Sequence, residues 1–445
     1  DDIVTLRTKF LLEYRPRAPS SAGDLTEFLK RQENPDQMIY CNRPLHASVL
    51  IPVTLLHPIF GQFIDDCDNY KPTAKDNAFV LELSTAMTQF YQDETDQANR
   101  IRQVFRDKYD IDFLQTVIEG TTHSTDGDEG DTNRRNLPFA LIEFKNDVGS
   151  KESEPFVQSV LRYLESTRKQ APEMPCSVLP CMIINVFGPH MSFVGAAWNV
   201  RPVAQVLSTG LPFYFDFSDT KLRATAARHL GAFKKAIHSL QDYYHNDVSV
   251  TSPTLIPWQI FPYRKHFTSL VDSSEQQFEY VKKHEHYRLL FLGKLSDGRY
   301  ICIKFSRQEV HSFCALKGFA PKLLGCEMIP GGWWMVVMDL IDENRVEFYD
   351  PQAPLRSSIL KHLREFLTLL HGKDFVHDTH NTNTVVPRSG ASRLILVDFD
   401  RAGRIRNARY PMNVHYGVKL RHLMQDTIFL RPDGARDGEL ITADS

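Results

Sequence analysis

The sequence predicts an α/β domain followed by an α+β domain, and three observations carry that reading. An apolar run, residues 139–142, continues into Glu143, Phe144 and Lys145 and lies between stretches of helical periodicity. Near the middle, Pro253, Pro257 and Pro262 fall within ten residues and mark a boundary. From His286 onward the pattern changes to alternating hairpin strands, then a helix, then a polar loop rich in His and Asn.

A chain of 445 residues has room for two or three domains with cores of their own. Its 42% apolar and 24% charged content is that of a soluble globular protein. The net charge of −3 gives no overall pull toward nucleic acid, so any DNA binding needs a local basic groove. Seven scattered cysteines, an odd number with no CxxC pair, predict reduced thiols in an intracellular compartment rather than disulfides or structural zinc. No apolar run approaches the roughly 18 residues of a membrane span, so no membrane partner is expected. The start, DDIVTLRTKF, carries neither Met nor a signal peptide and reads as a processed or trimmed chain.

In chain order, residues 1–75 read as a loop-rich segment that packs on the core, because prolines interrupt every periodic run; Asp24 caps one short helix. Residues 76–252 form the first domain. Helical spacing covers 77–91 and 93–109, and an acidic, Gly-punctuated turn follows at His123 to Asp131. The strand ending in Glu143-Phe144-Lys145 puts the carboxylate and the ammonium on one face. Two such groups at a strand end suit a divalent metal and the water it activates, although a surface Glu/Lys pair is the commoner meaning of so short a pattern. Glu154-Pro155 opens a helix that carries Gln158 one turn in. Strands at 177–186, 191–198 and 203–207 and a long helix at 224–244 complete an α/β order. Residues 253–285 read as a linker with an inter-domain helix, and 286–445 as the second domain.

In that domain Arg288 to Leu295 and Arg299 to Phe305 alternate around Ser296-Asp297-Gly298 as a hairpin. Its second strand carries Lys304, and Glu309 follows on the next segment. After a strand at 333–340 and a helix at 357–370 come Asp378, His380 and Asn383, spaced D-x-H-x-x-N, and then an apolar strand ending in Asp398-Phe399-Asp400.

The acidic turn, ExK strand and Gln-bearing helix resemble the restriction-endonuclease-like PD-(D/E)xK superfamily. That resemblance implies Mg²⁺ held by Asp126 and Glu143, Lys145 orienting the attacking water, and Gln158 in support. Asp128 or Asp131 replaces Asp126 equally well by spacing, and Glu94, before Glu82, is the candidate for an extra acid. The second half resembles protein kinases, especially the aminoglycoside-phosphotransferase-like branch. There Lys304 grips ATP phosphates beside Glu309, Asp378 accepts the hydroxyl proton, and Asn383 and Asp398 hold Mg²⁺. It departs from kinases in lacking GxGxxG, in having DFD for DFG, and in a short C-terminal part.

The two halves together, with VDFDRAGR and RYPMN, resemble Crinkler-type effectors and fungal kinase-like proteins. This implies a cytotoxic, Mg²⁺-dependent DNA endonuclease coupled to an ATP-binding kinase-like domain, acting in a nucleus. The alternatives are a Ser/Thr protein kinase acting on a protein substrate, with a degenerate nuclease-like scaffold, and a non-catalytic binding platform.

Overall fold

Three of the prolines that interrupt hydrophobic periodicity in the first 75 residues, Pro19, Pro52 and Pro58, start helices instead of breaking them. In a computed structural model, helix α1 spans Ile3–Glu13, α2 Pro19–Ala22, α3 Leu25–Gln32, α4 Val53–Leu56 and α5 Pro58–Asn69. Pro19 and Pro58 occupy first-turn positions and Pro52 is the cap of α4, where a missing N–H costs nothing. The loop-rich reading of 1–75 is corrected on this ground. The structure describes all residues except 1, 118–124, 132–136, 146–153, 217, 248–260, 285–288, 307–313, 316, 342–345, 349–356, 378–383, 388–394, 398–401, 410–439 and 441–445. It divides into two units, Asp1–Arg264 and Lys265–Ser445.

In the first unit, α6 (Ala74–Met87) begins with a capping box between Thr73 and Asp76, and α7 (Glu94–Tyr109) is capped by Asp93. Asp76 also accepts hydrogen bonds from the hydroxyls of Tyr70 at 3.0 Å and Tyr109 at 2.9 Å. Burial opposes its charge, but the bonds from Thr73, Tyr109 and Tyr70 outweigh it and hold the carboxyl below its ordinary value. The strands are β1 (Asp128–Asp131), β2 (Leu137–Lys145), β3 (Cys181–Phe187), β4 (His190–Trp198), β5 (Pro202–Val206) and β6 (Leu211–Pro212). They form one sheet in the order β1-β2-β3-β4-β5, with β6 beside β4. Among the described strands of this sheet only β2 and β3 pair in parallel; the crossover between them contains α8 (Pro155–Thr167) and α9 (Gln170–Glu173). Every residue of β2 is buried, as a strand at the centre of an α/β layer requires.

The long helix α10 (Thr220–Asp242) packs against α5 and α6. Gly231 makes that approach possible, since a Cβ there would fall 2.6 Å from Tyr70 Cζ. The Tyr70 hydroxyl is tied to Asp76, so the ring has little freedom to retreat. Gly231→Ala is therefore expected to destabilise the unit by roughly 1–3 kcal/mol, despite alanine's better helix propensity; a urea midpoint at or above that of wild type would refute this. Near the end of α10, Gln241 donates to Glu129 Oε1 at 3.2 Å. Burial, with Asp112 and Asp110 adding to it, pushes the Glu129 carboxyl up to about 7. The folded chain then holds this proton more tightly than the unfolded chain, so its contribution to stability is lost as pH rises from about 4.5 through about 7. Glu129→Gln, which has no proton to lose, is expected to gain on wild type across that window. Denaturation at pH 5 and pH 8 checks it: an equal difference at both would be the wrong result.

The second unit opens with an antiparallel sheet. Its strands are β7 (His266–Thr268), β8 (Glu275–Lys283), β9 (Leu290–Leu295), β10 (Tyr300–Ser306), β11 (Leu323–Ile329) and β12 (Trp333–Asp339), in the order β11-β12-β10-β9-β8-β7. The inter-domain helix expected within 253–285 is thus replaced by β7 and β8. Phe278 is the one buried residue of β8, and so polar a strand shows little alternation to read. Beyond the sheet lie β13 (Val346–Phe348), α11 (Ser357–His371), β14 (Phe375–His377), β15 (Thr384–Pro387), β16 (Ile395–Leu396) and β17 (Ala402–Arg404). Phe366 and Leu370 of α11 pack with Cys314, Ala320, Val386, Leu396 and Ala402. All seven cysteines are free. Among the described residues, no helix is long and apolar enough to cross a membrane.

Candidate functional site

Strand β1 covers β2 only as far as Leu141, leaving later N–H groups on that edge in need of acceptors. The turn before β1 supplies them: Ile142 N donates to Gly127 O at 2.9 Å and Phe144 N to Asp126 Oδ2 at 3.1 Å. This seats the Asp126 carboxylate beside the ExK end of β2. Arg102 on α7 fixes the turn by donating to Asp126 O at 2.7 Å. Lys145 Nζ donates to Glu143 Oε1 at 3.2 Å and stands 3.8 Å from Glu94 Oε1 at the start of α7. Asp126, Glu143, Lys145 and Glu94 therefore meet in one pocket.

A fifth group, which the motif reading missed, completes the pocket. Arg162 Nη1 lies 2.8 Å from Asp126 Oδ1 and 3.0 Å from Glu143 Oε2. It sits one helical turn beyond Gln158 on α8, and the i,i+4 rule puts it on the same face; that spacing is the signal from which it was legible. Gln158 itself is buried near the start of α8, where its N–H continues the helix by bonding Glu154 O at 3.0 Å. Glu143 is 1% exposed and Lys145 5%. Burial, only partly offset by Arg162, pushes the Glu143 carboxyl up to about 8; Asp126 adds to the rise and Lys145 opposes it. Burial also works against the Arg162 charge, but Glu143 and Asp126 more than compensate and hold the guanidinium above its ordinary value.

The Mg²⁺ implied by the PD-(D/E)xK resemblance needs free oxygen donors. Here Asp126 Oδ2 receives the Phe144 N–H, Glu143 Oε1 receives Lys145, and the remaining oxygen of each acid faces Arg162. Asp128 is turned to other work, its Oδ1 accepting the Thr116 and Thr125 hydroxyls at 2.5 Å each. Glu82 pairs with Arg100 and Lys108 at 3.6 and 2.9 Å. The Asp131 side chain lies outside the described residues. Among the described residues, no group of three or more His, Cys, Asp or Glu is arranged to hold a metal ion. As arranged, the described residues do not fit Mg²⁺: a guanidinium is the counter-ion of Asp126 and Glu143, and their expected ligation of Mg²⁺ stays an expectation from the resemblance.

In the second unit Lys304 lies in β10, opposite Val336 of β12 and Leu290 of β9, and is 5% exposed. Glu309, Asp378, Asn383 and Asp398 lie outside the described residues; the strands flanking three of them do not. His377, the end of β14, pairs with Ala402 of β17, and Thr384, the start of β15, pairs with Leu396 of β16. The residues just before Asp378 and just after Asn383 thus belong to short paired strands, and Asp398 lies between the strands that end at Leu396 and begin at Ala402.

The segment from His284 to Leu289, between β8 and β9, contains no glycine. The hairpin glycines Gly293 and Gly298 lie later. Gly293 serves packing, since a Cβ there would meet Ile303 Cδ1 at 2.5 Å, and Gly298 serves a turn with φ of +88°.

No protein-family model matches the chain, and no curated protein matches it; the effector resemblance therefore rests on its motifs alone. Among solved structures, the chain is similar to the PK-1 kinase of Cydia pomonella granulovirus, at 19% identity and a TM-score of 0.24, over 29% of this chain and 53% of that one. It is similar to vaccinia related kinase 3 at 13% identity and a TM-score of 0.23, over 38% and 62%. The yeast RNA polymerase II CTD kinase complex CTDK-1 gives 13% identity and a TM-score of 0.20, over 30% and 50%. The chain thus spans between 50% and 62% of the lengths of these chains. Likenesses this slight carry no argument about fold or activity.

Proposed function

We propose that the second unit is a protein-kinase-like phosphotransferase that moves the terminal phosphoryl group of ATP to a hydroxyl of a protein substrate. The observation that carries this reading is the strand framework. A buried lysine lies within an antiparallel sheet, and two sets of paired short strands flank the D-x-H-x-x-N and DFD segments. Lys304 would steady phosphate oxygens, with Glu309 as its partner, and Asp378 would take the acceptor hydroxyl's proton. Asn383 and Asp398 would hold Mg²⁺, which supplies charge neutralisation on the transferring group. Without a glycine between β8 and β9, covering of the phosphates falls to side chains. The test is transfer of label from ATP by the full chain, to itself or to a Ser/Thr-rich protein; no transfer together with no nucleotide-induced thermal shift refutes the proposal.

Phosphodiester hydrolysis by the first unit is the second reading, and DNA, a nuclear location and effector behaviour belong to it. The meeting of Asp126, Glu143 and Lys145 favours it. The placement of Arg162 between the two acids opposes it. Plasmid nicking in Mg²⁺ that is lost in Glu143→Ala and kept in Asp378→Ala would promote it to first place.

A further inference from the structure

We propose that the Arg162 guanidinium is the resident cation of the first unit's acidic pocket, standing where a divalent ion would bridge Asp126 and Glu143. Shortening this side chain converts the pocket into a divalent-cation site. The inference concerns the first unit alone and is independent of the phosphotransfer reading.

Position is the first argument. One nitrogen of Arg162 stands 2.8 and 3.0 Å from one oxygen of each acid, in a side chain only 10% exposed. The kind of contact is the second. A single nitrogen, Nη1, is shared between the two acids, and Arg162 Nε is buried without a hydrogen-bond partner among the described residues. The contact is thus one nitrogen bridging two acids and not a fork-to-fork pairing with either. Rigidity is the third. Helix α8 is capped by Glu154, which accepts from Val157 N at 2.9 Å, and Tyr163, next to Arg162, donates its hydroxyl to Leu179 O at 2.7 Å. The guanidinium is thus delivered from a fixed helix.

Charge balance is the fourth argument. Glu94 and Arg102 come from α7, Asp126 from the turn before β1, Glu143 and Lys145 from β2, and Arg162 from α8. Among the described residues, three acids thus face three cations. Removing Arg162 takes one positive charge away from these acids and uncovers Asp126 Oδ1 and Glu143 Oε2 together. A small hard cation that binds one or two carboxylates and keeps several waters suits such a vacancy.

The experiment titrates the full chain and its Arg162→Ala variant with MnCl₂, without nucleotide. Free Mn²⁺ is read by electron paramagnetic resonance and folding by circular dichroism. Arg162→Ala is expected to bind one Mn²⁺ more per chain than wild type, and adding Glu143→Gln is expected to abolish the extra ion. If the variant is unfolded without metal, recovery of its helical signal on adding Mn²⁺ supports the proposal and failure to recover overturns it. Two further results overturn it: wild type binding an ion that Glu143→Gln alone removes, or a folded Arg162→Ala binding no more Mn²⁺ than wild type. None of these readouts involves the second unit's residues, so failure of the phosphotransfer reading leaves them unchanged.

Discussion

Asp378→Asn is expected to lower phosphoryl transfer by about 10²–10⁴-fold, the usual worth of a positioned general base, while leaving nucleotide affinity close to wild type. On the proposed phosphotransferase reading, the proton leaving the acceptor hydroxyl would then have no carboxylate to receive it, whereas Lys304 would still hold the phosphates. Lys304→Met should behave differently. Lys304 lies in a buried register between β9 and β12, so its loss removes a fixed positive charge without disturbing the sheet edge. Transfer should fall about 10²–10³-fold, now with weaker nucleotide binding. Single-turnover transfer from labelled ATP, with thermal shifts measured against ATP concentration, separates the two patterns. Loss of transfer with intact binding in both variants would take Lys304 out of the phosphate site, and undiminished transfer in Asp378→Asn would remove the assigned base.

How far the sequence announced this depends on what kind of signal each part emits. The meeting of Glu143 and Lys145 follows from period-2 alternation on a strand, and Asp126 joins them because β2 has an uncovered edge needing an acceptor beyond Leu141. Arg162 was hidden in plain view. Its helix is legible from the sequence, but the motif ends at Gln158, and the importance of the i+4 neighbour shows only once α8 lies against β2. The first 75 residues misled through their prolines, which are ambiguous in sequence because the same residue starts helices and ends them. Strand β8 was invisible for the opposite reason: with only Phe278 buried, it has almost no apolar pattern to detect. The Ser296-Asp297-Gly298 turn, by contrast, is local chemistry and could be read directly.

Arg7→Met is expected to destabilise the first unit by about 3–5 kcal/mol, the scale on which loss of one side of a buried charged network is felt. Nothing in the motif reading drew attention to Arg7, which lies on a short N-terminal helix. It is fully buried all the same, and burial lowers its pKa to about 10. Its Nε donates to Asn199 O at 2.8 Å, Nη1 to Ala171 O at 2.8 Å and Met174 O at 3.3 Å, and Nη2 to Ser177 O at 3.1 Å and Trp198 O at 3.2 Å. One guanidinium thus joins α1 to α9, to the approach to β3 and to the end of β4, and these segments frame the sheet that holds the acidic pocket. Methionine fills much of the same volume but leaves those carbonyls without this donor, and a buried acceptor without a partner costs about 1–3 kcal/mol. Arg7→Lys keeps the charge but has three donors on a single nitrogen, which cannot span carbonyls spread along three segments; it should fall between wild type and Arg7→Met. For a unit of this size the methionine variant should melt roughly 6–20 °C lower. A midpoint within about 2 °C of wild type, at most about 1 kcal/mol on that scale, would mean that water replaces the guanidinium at those carbonyls and that α1 is a passenger on the sheet, not its clamp.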